Sequence, residues 1–361
     1  KRQEIIRSVQ EAVDIVDVVS RYVPLKRAGS SFKGLCPFHE EKTPSFHVFQ
    51  ESQRFKCFGC GEGGDVFEFL MKHVNLGFRD AIEELAREVN IELPVVDDGP
   101  EEEERNRRRG AALRALAFAE AFYRAVLARP AGETARAYLG GRGFSAETLE
   151  AFRIGFAPDD YHAFGSYALS KGHSEQALFD AGLVRRRETG NAYDMFRGRI
   201  MFPIRDARSQ VIGFGARALG DDEPKYLNSP DGPLFRKGSE LYGLDLAVSA
   251  ARQARRLLVV EGYTDVMQAH QSGLREVVAG LGTALTPENA RTLRRQRVEV
   301  VLLYDGDEAG RRAAERASDV LLAEDVEGRV ALLPPGQDPA DLLRSEGPAA
   351  VEEAVTAAES F

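Results

Sequence analysis

The stretch LLVVEGYTDV (257–266), together with VEVVLLYDGDEAG (298–310), decides the fold of the C-terminal part of the chain. Each opens with a short apolar, β-branched run, reaches an acidic residue, passes a glycine and enters a helical pattern. Worked outward, the same alternation continues. Leu257–Val260 reads as a strand, 264–272 as a helix, Val277–Val278 as a short strand and 286–295 as a helix. Val298–Leu303 is the next strand, 308–323 a helix and Val330–Leu333 a last strand. Strands and helices alternating at these lengths build a parallel α/β sheet.

In open sheets of this kind ligands sit beyond the carboxyl ends of the strands. Glu261 follows the first strand, and Asp305 and Asp307 follow the third. Asp338 and Asp341, in PGQDPADLL (335–343), follow the last. Oxygen-only clusters suit Mg²⁺ or Mn²⁺, and several carboxylates are able to hold two ions for phosphoryl or nucleotidyl transfer. The bland alternative is that acids after strands merely cap helices. It explains one such residue more easily than three groups. Gly213-Phe-Gly215-Ala-Arg-Ala218 looks like a dinucleotide fingerprint, but no helical pattern opens there. No Gly-Lys pair occurs anywhere, which excludes a P-loop NTPase.

The N-terminal part carries a different chemistry. Cys36-Pro-Phe-His39, seventeen residues and Cys57-Phe-Gly-Cys60 form a C-x2-H…C-x2-C array, the spacing of a tetrahedral zinc site. His39-Glu40-Glu41 before C-x-x-C also echoes a zinc deaminase. Lys56 stands where that motif has proline, and Cys36 fills the position a catalytic water would need. A structural zinc is therefore expected. Between 21 and 60 there are seven Lys/Arg and three Asp/Glu, interleaved with phenylalanines. Lys33, Lys56 and Phe58 are candidates for gripping single-stranded nucleic acid by phosphate contact and stacking. The same rings would also serve as the small core of a zinc ribbon.

A single amphipathic helix is expected over 5–23 (Ile5, Val9, Val13, Val16, Val19), and helices again over 65–92. Asp97-Asp98-Gly99-Pro100 breaks the pattern, and the charge block Glu101–Arg109 reads as a linker into a helix at 111–128. The region 136–250 is mixed, with strands at Arg199–Ile204 and Gln210–Phe214. Eight bases against five acids lie between Met195 and Lys237. Alternation in Arg197-Gly-Arg199-Ile-Met-Phe would put both arginines on one face of a strand, suited to phosphates. The whole chain of 361 residues carries 57 acids and 48 bases, three cysteines, and no apolar run long enough to span a membrane. A net charge of −9 looks wrong for a nucleic-acid binder unless the acids hold metal and the bases are concentrated elsewhere.

In this combination and order the motifs resemble the bacterial DnaG-type DNA primases over essentially the whole chain. The zinc motif CPFHEEKTPSF…FKCFGCG comes first, then FRGRIMFPI and PKYLNSP, then EGYTDV and DGDEAG, the pair typical of Toprim domains. The resemblance implies an α+β / α/β protein: a zinc ribbon, a mixed α/β subdomain and a parallel-sheet Toprim subdomain. The corresponding division is 1–98 zinc ribbon, 99–110 charged linker, 111–252 basic subdomain, 253–344 Toprim and 345–361 the start of a helical segment. It implies an RNA polymerase that starts short primers on single-stranded DNA from ribonucleoside triphosphates. Cys36, His39, Cys57 and Cys60 would hold one zinc. Glu261, Asp305 and Asp307 would be catalytic and would bind two or more Mg²⁺ or Mn²⁺ ions, with Asp338 and Asp341 assisting and Asp265 in support. Arg142, Arg197, Arg199, Lys225, Asn228 and Lys237 would hold template or nucleotide.

The family's D-P-D motif departs here, with Ala340 at the second acid's position. A replicative helicase is the expected partner of the full-length protein, through a C-terminal domain beyond Phe361. The expected location is cytoplasmic, at the replication fork. The competing functions are a non-catalytic zinc/Toprim DNA-binding module, as in recombination mediators, and a Toprim-type nuclease.

Overall fold

The computed structural model describes residues 2–39, 41–73, 78–89, 91, 93, 100–187, 190–220, 222–282, 284–334 and 336–361. Glu40 and the Asp97–Gly99 break lie outside them. The chain forms two compact units, Lys1–Asp98 and Gly99–Phe361.

In the first unit the single helix expected over 5–23 is two, α1 (Arg2–Ala12) and α2 (Ile15–Ser20). Asp14 breaks them: its backbone is extended and its carboxylate accepts from Val16 N at 2.8 Å, capping α2. Five antiparallel strands follow in sequence order, β1 (Lys26–Ala28), β2 (Ser31–Gly34), β3 (Phe46–Phe49), β4 (Arg54–Cys57) and β5 (Gly63–Gly64). Then come α3 (Val66–His73) and α4 (Phe78–Glu88). Alternation along β3 and β4 turns Phe46, Val48 and Phe55 into a core shared with Val16, Val19, Phe69 and Leu70. Phe46 and Phe55 stack with centroids 5.4 Å apart.

The second unit opens with a 29-residue helix, α5 (Pro100–Ala128). The block read as a linker over 99–110 is therefore, from Pro100, the first turns of this helix. Proline suits a helix start, the acids Glu101–Glu103 complement its positive end, and Arg108 pairs with Asp180 at 2.6 Å. After α6 (Glu133–Gly141) and α7 (Ala146–Ala151) come β6 (Gly155–Ala157), α8 (Ala163–Ser170), α9 (Glu175–Asp180) and a hairpin, β7 (Val184–Arg186) and β8 (Ala192–Asp194). The long strands β9 (Arg199–Arg205) and β10 (Val211–Ala218), with β11 (Tyr226–Asn228), complete an antiparallel sheet of order β11-β10-β9-β6. The glycine-rich segment 213–218 is thus a strand and not a dinucleotide turn.

From α10 (Leu244–Ala254) onward the expected alternation is present. The elements are β12 (Arg256–Val260), α11 (Tyr263–Gln271), β13 (Val277–Ala279), α12 (Pro287–Gln296), β14 (Glu299–Tyr304), α13 (Glu308–Ala323), β15 (Gly328–Leu332) and α14 (Pro339–Ser345). The sheet order is β13-β12-β14-β15-β16, parallel through its first four strands. Residues 345–361 are not a purely helical departure. After α15 (Pro348–Thr356) the chain returns as β16 (Glu359–Ser360), antiparallel to β15. Val351 and Val355 of α15 are buried in the same core as Leu258, Val301 and Leu342.

The four-stranded and five-stranded sheets of this unit meet at Tyr263. Its ring stacks on Phe202 at 5.3 Å, and a Cβ on Gly215 would stand 2.7 Å from it. Its hydroxyl donates to Asn228 Oδ1 at 2.5 Å. Gly215 is glycine because the tyrosine occupies the space a side chain would need.

Candidate functional site

β12 is the first strand of the parallel sheet, with β13 on one side and β14 on the other. The connections leaving β12 and β14 therefore diverge, making a switch-point crevice between their carboxyl ends. Glu261 follows β12, and Asp305 and Asp307 follow β14. A third wall comes from the loop after β15. A Cβ on Gly306 would lie 1.8 Å from Leu333 O, so only glycine lets the two loops approach this closely.

The capping alternative holds in part. Asp307 Oδ1 accepts from Gly310 N at 2.7 Å and caps α13; Asp338 Oδ1 accepts from Asp341 N at 2.6 Å and caps α14. Asp265 Oδ2 accepts from Gly262 N at 3.0 Å at the start of α11. Each of these bonds occupies one carboxylate oxygen, aims the side chain and leaves the second oxygen for another partner. Asp341 forms an ion pair with Arg344.

Repulsion marks the cluster. Burial pushes the Asp305 carboxyl up to about 6, reinforced by Glu261, Asp338, Asp307 and Asp341. Burial pushes Asp265 up to about 7, with Asp338, Asp305 and Glu261 adding to it against the Gly262 N–H. Glu261 is raised by burial and then by Asp307, with Arg316 opposing. Carboxylates that repel one another at the mouth of a crevice, with oxygen donors only, fit a hard divalent cation. Their arc is wider than the cysteine cluster, whose four ligand atoms alone, among the described residues, close to within 4.8 Å of one another.

In that cluster Cys36 Sγ and Cys60 Sγ are 3.8 Å apart, as are Cys57 Sγ and His39 Nδ1. Tetrahedral Zn–S bonds of about 2.3 Å put sulfurs about 3.8 Å apart, so the donor set fits zinc. His39 Nε2 faces Glu41 at 3.4 Å, and Glu41 is held by the backbone N–H groups of Cys36 and Ser45 at 2.8 and 2.9 Å. A carboxylate behind a ligating histidine fixes its orientation. Gly59 N donates to Cys57 Sγ at 3.3 Å, and a Cβ on Gly59 would strike His39 Nε2. Lys33 and Lys56 lie on the opposite, outward face of this sheet, and Phe58 just past β4 is exposed.

The basic residues of the second unit divide into two groups. Arg197 and Arg199 do not share a strand face: β9 begins at Arg199, and Gly198, with φ +60°, turns the chain between them. They still converge, lining a cavity of about 370 Å³ with Arg185, Tyr161 and Tyr193. Arg197 lies over the Tyr161 ring at 4.4 Å, and Arg199, only 6% exposed, donates to Pro224 O at 2.8 Å. Burial lowers the Arg199 pKa.

The second group begins at Tyr263. Asn228 is held between that hydroxyl and Leu281 O, Arg142 Nε donates to Tyr138 OH at 3.0 Å, and Lys225 is exposed beside β11. Lys237 lies in the connection after β11, its backbone N bonded to Asp231. The sequence did not single out Arg217. It is buried, lies over Tyr138 at 4.5 Å and Tyr226 at 5.7 Å, and leaves Nε and Nη1 without a partner. A buried guanidinium with open N–H groups asks for an anion. The signal available in the sequence was strand alternation from Gly215, which puts Arg217 on the same face two residues on.

Comparison with known proteins agrees with these parts. The family model of the CHC2 zinc finger matches residues 1–101, that of the DNA primase catalytic core, N-terminal domain, residues 122–248, and the Toprim-like model residues 258–343. The chain is 44% identical to a DNA primase of Pseudomonas putida over 350 residues, covering 96% of this chain and 53% of that one. It is 43% identical to a DNA primase of Escherichia coli over 351 residues, 96% and 60% of the two chains. It thus spans little more than half the length of these curated relatives. The crystal structure of the Aquifex aeolicus primase, comprising zinc-binding and RNA polymerase domains, matches with TM-score 0.66 and 34% identity over 99% of this chain and 86% of that one. With a zinc centre, a basic antiparallel sheet and an acidic switch-point crevice in this order, the chain belongs to the bacterial DnaG-type DNA primase family.

Proposed function

We propose that this chain is a DNA-dependent RNA polymerase that starts short RNA primers on single-stranded DNA. The observation that carries the reading is the crevice itself: mutually repelling carboxylates at the strand ends, joined through Tyr263 and Asn228 to a sheet carrying Arg217, buried and under-partnered. A solved DnaG primase catalytic domain 41% identical to this chain is described as bound to single-stranded DNA, which supports the template assignment.

Glu261, Asp305 and Asp307, assisted by Asp338 and Asp341, would hold Mg²⁺ or Mn²⁺, which supplies Lewis-acid stabilisation of the attacking and leaving oxygens in nucleotidyl transfer. Asp265 supports them by fixing the Gly262 turn. Arg142, Arg217, Lys225, Asn228 and Lys237 bind and orient the triphosphate, while Arg197 and Arg199 hold template phosphates beside Tyr161. No histidine adjoins the crevice among the described residues, so no side chain is assigned as a general base. Lys33, Lys56 and Phe58 grip the template at the zinc unit, whose one zinc is structural. The relatives extend beyond the span of this chain, and contact with a replicative helicase at the replication fork, in the cytoplasm, is proposed for that longer protein. Among the described residues no helix is long and apolar enough to cross a membrane.

The test is incubation with ribonucleoside triphosphates and a single-stranded template, with and without chelator. New short RNA that disappears with chelator supports the polymerase. Loss of template instead indicates a Toprim-type nuclease, and binding without either product a non-catalytic module. A Glu261→Gln variant that makes primers at the wild-type rate overturns the metal assignment.

A further inference from the structure

The zinc-bearing sheet has one face in the core and one outside. Lys33, His47 and Lys56 stand opposite one another on β2, β3 and β4. Phe46 and Val48, flanking His47 in the chain, are fully buried, so strand alternation turns His47 outward between the two lysines, about 5 Å from each strand. Phe58, 67% exposed, meets the imidazole edge-on at 5.2 Å, and Phe49 lies nearly parallel to it at 6.1 Å.

One tautomer satisfies every hydrogen bond around the ring at once. Ser31 Oγ donates its single hydrogen to Ala28 O at 3.2 Å. In that arrangement it accepts from His47 Nδ1, 3.1 Å away, and Nδ1 carries the ring proton; the reverse direction would leave Ala28 O without the hydroxyl. Nε2 keeps a bare lone pair. Burial and the neighbouring Lys33 both lower the pKa of the ring, favouring this neutral form. A fixed acceptor beside an exposed ring and between two cations matches a base with an N–H donor, held by stacking and by its flanking phosphates.

We infer that His47 is a base-reading residue of the zinc unit, its Nε2 accepting a hydrogen bond from the exocyclic amine of a template base stacked on Phe58. The inference rests on the reading that this face grips single-stranded template, and it adds the residue and the base chemistry that select the sequence.

The test uses the whole chain and a set of single-stranded templates in which one cytosine at a time is replaced by its analogue lacking the 4-amino group, or one adenine by purine. Template affinity is read by anisotropy and start sites from the primers made. The wild type should lose about 5–10-fold in affinity and initiation at one position when the amine is removed, the worth of one hydrogen bond. His47→Leu should bind amine and amine-free templates alike, and His47→Gln, which retains an acceptor, should keep part of the discrimination. Zinc content equal to wild type certifies that both variants are folded. Discrimination that survives in His47→Leu, or is absent at every position in the wild type, overturns the inference. A Lys33→Ala/Lys56→Ala variant separates the underlying reading: affinity unchanged for all templates means that this face does not hold template at all.

Discussion

Replacing Asp265 by asparagine should make the protein more stable in the absence of divalent metal. The residue is buried at the start of α11, and its carboxyl is pushed up to about 7, first by burial and then by Asp338 and Asp305. An ordinary aspartate titrates near ~3.9. The folded state thus favours the protonated form. Its stabilising contribution is complete below about pH 4 and is lost as the pH rises through about 7. A gap of about three pH units makes the folded wild type about 4 kcal/mol less stable at pH 8, where both states are ionised, than an uncharged isostere, and about 1–2 kcal/mol less at pH 5, where the unfolded chain has ionised and the folded carboxyl has not. Asparagine retains an oxygen to accept from Gly262 N, so the turn is preserved. At roughly 2–3 °C per kcal/mol for a unit of this size, Asp265→Asn should melt about 10 °C higher at pH 8 and about 4 °C higher at pH 5. The assay is thermal unfolding in chelator at both pH values, repeated at pH 8 with Mg²⁺, which should narrow the gap by stabilising the wild type more. Equal shifts at both pH values, or no gain at pH 8, would refute the electrostatic reasoning.

Three further outcomes are expected. Gly306→Ala drives a Cβ into Leu333 O, backbone against backbone; it should cost about 1–3 kcal/mol and abolish primer synthesis, as read by melting and by the template assay. Arg217→Met removes a guanidinium with two partnerless N–H groups, so the melting temperature should stay within ~1 °C or rise, while the KM for ribonucleotides rises at least ~10-fold. Cys36→Ala should lose the bound zinc, measured by metal analysis, and the lower-melting transition with it, leaving that of Gly99–Phe361 in place.

Much of the parallel sheet was legible because its strands are buried on both faces and read as unbroken apolar runs, and because Glu308–Ala323 holds its helical period to the last turn. What escaped depends on one residue overriding a period. Asp14 cuts an otherwise helical pattern by capping a new helix, and Gly198 rotates Arg197 off the strand that Arg199 begins. The charge block after Pro100 looks like a linker because an exposed helix start and a linker share a composition; contacts distant in sequence, Arg108 to Asp180 and Arg109 to Pro233 O, separate them. The candidate acids were found from chain position alone. Their coupling depends on loops brought together at Gly306, and that closeness has no local signature.

The final eighteen residues bear on how this protein can be cut. The Toprim-like match ends at 343, which invites an expression boundary there. Truncation at that point would strip Val351 and Val355 from the core and unpair Arg329 and Val330 along the sheet edge. Gly328, which has no room for a side chain beneath the Phe361 ring, would face water. A product shortened in this way carries a sticky strand and an open apolar socket, and should aggregate on purification while the chain through Phe361 stays dispersed.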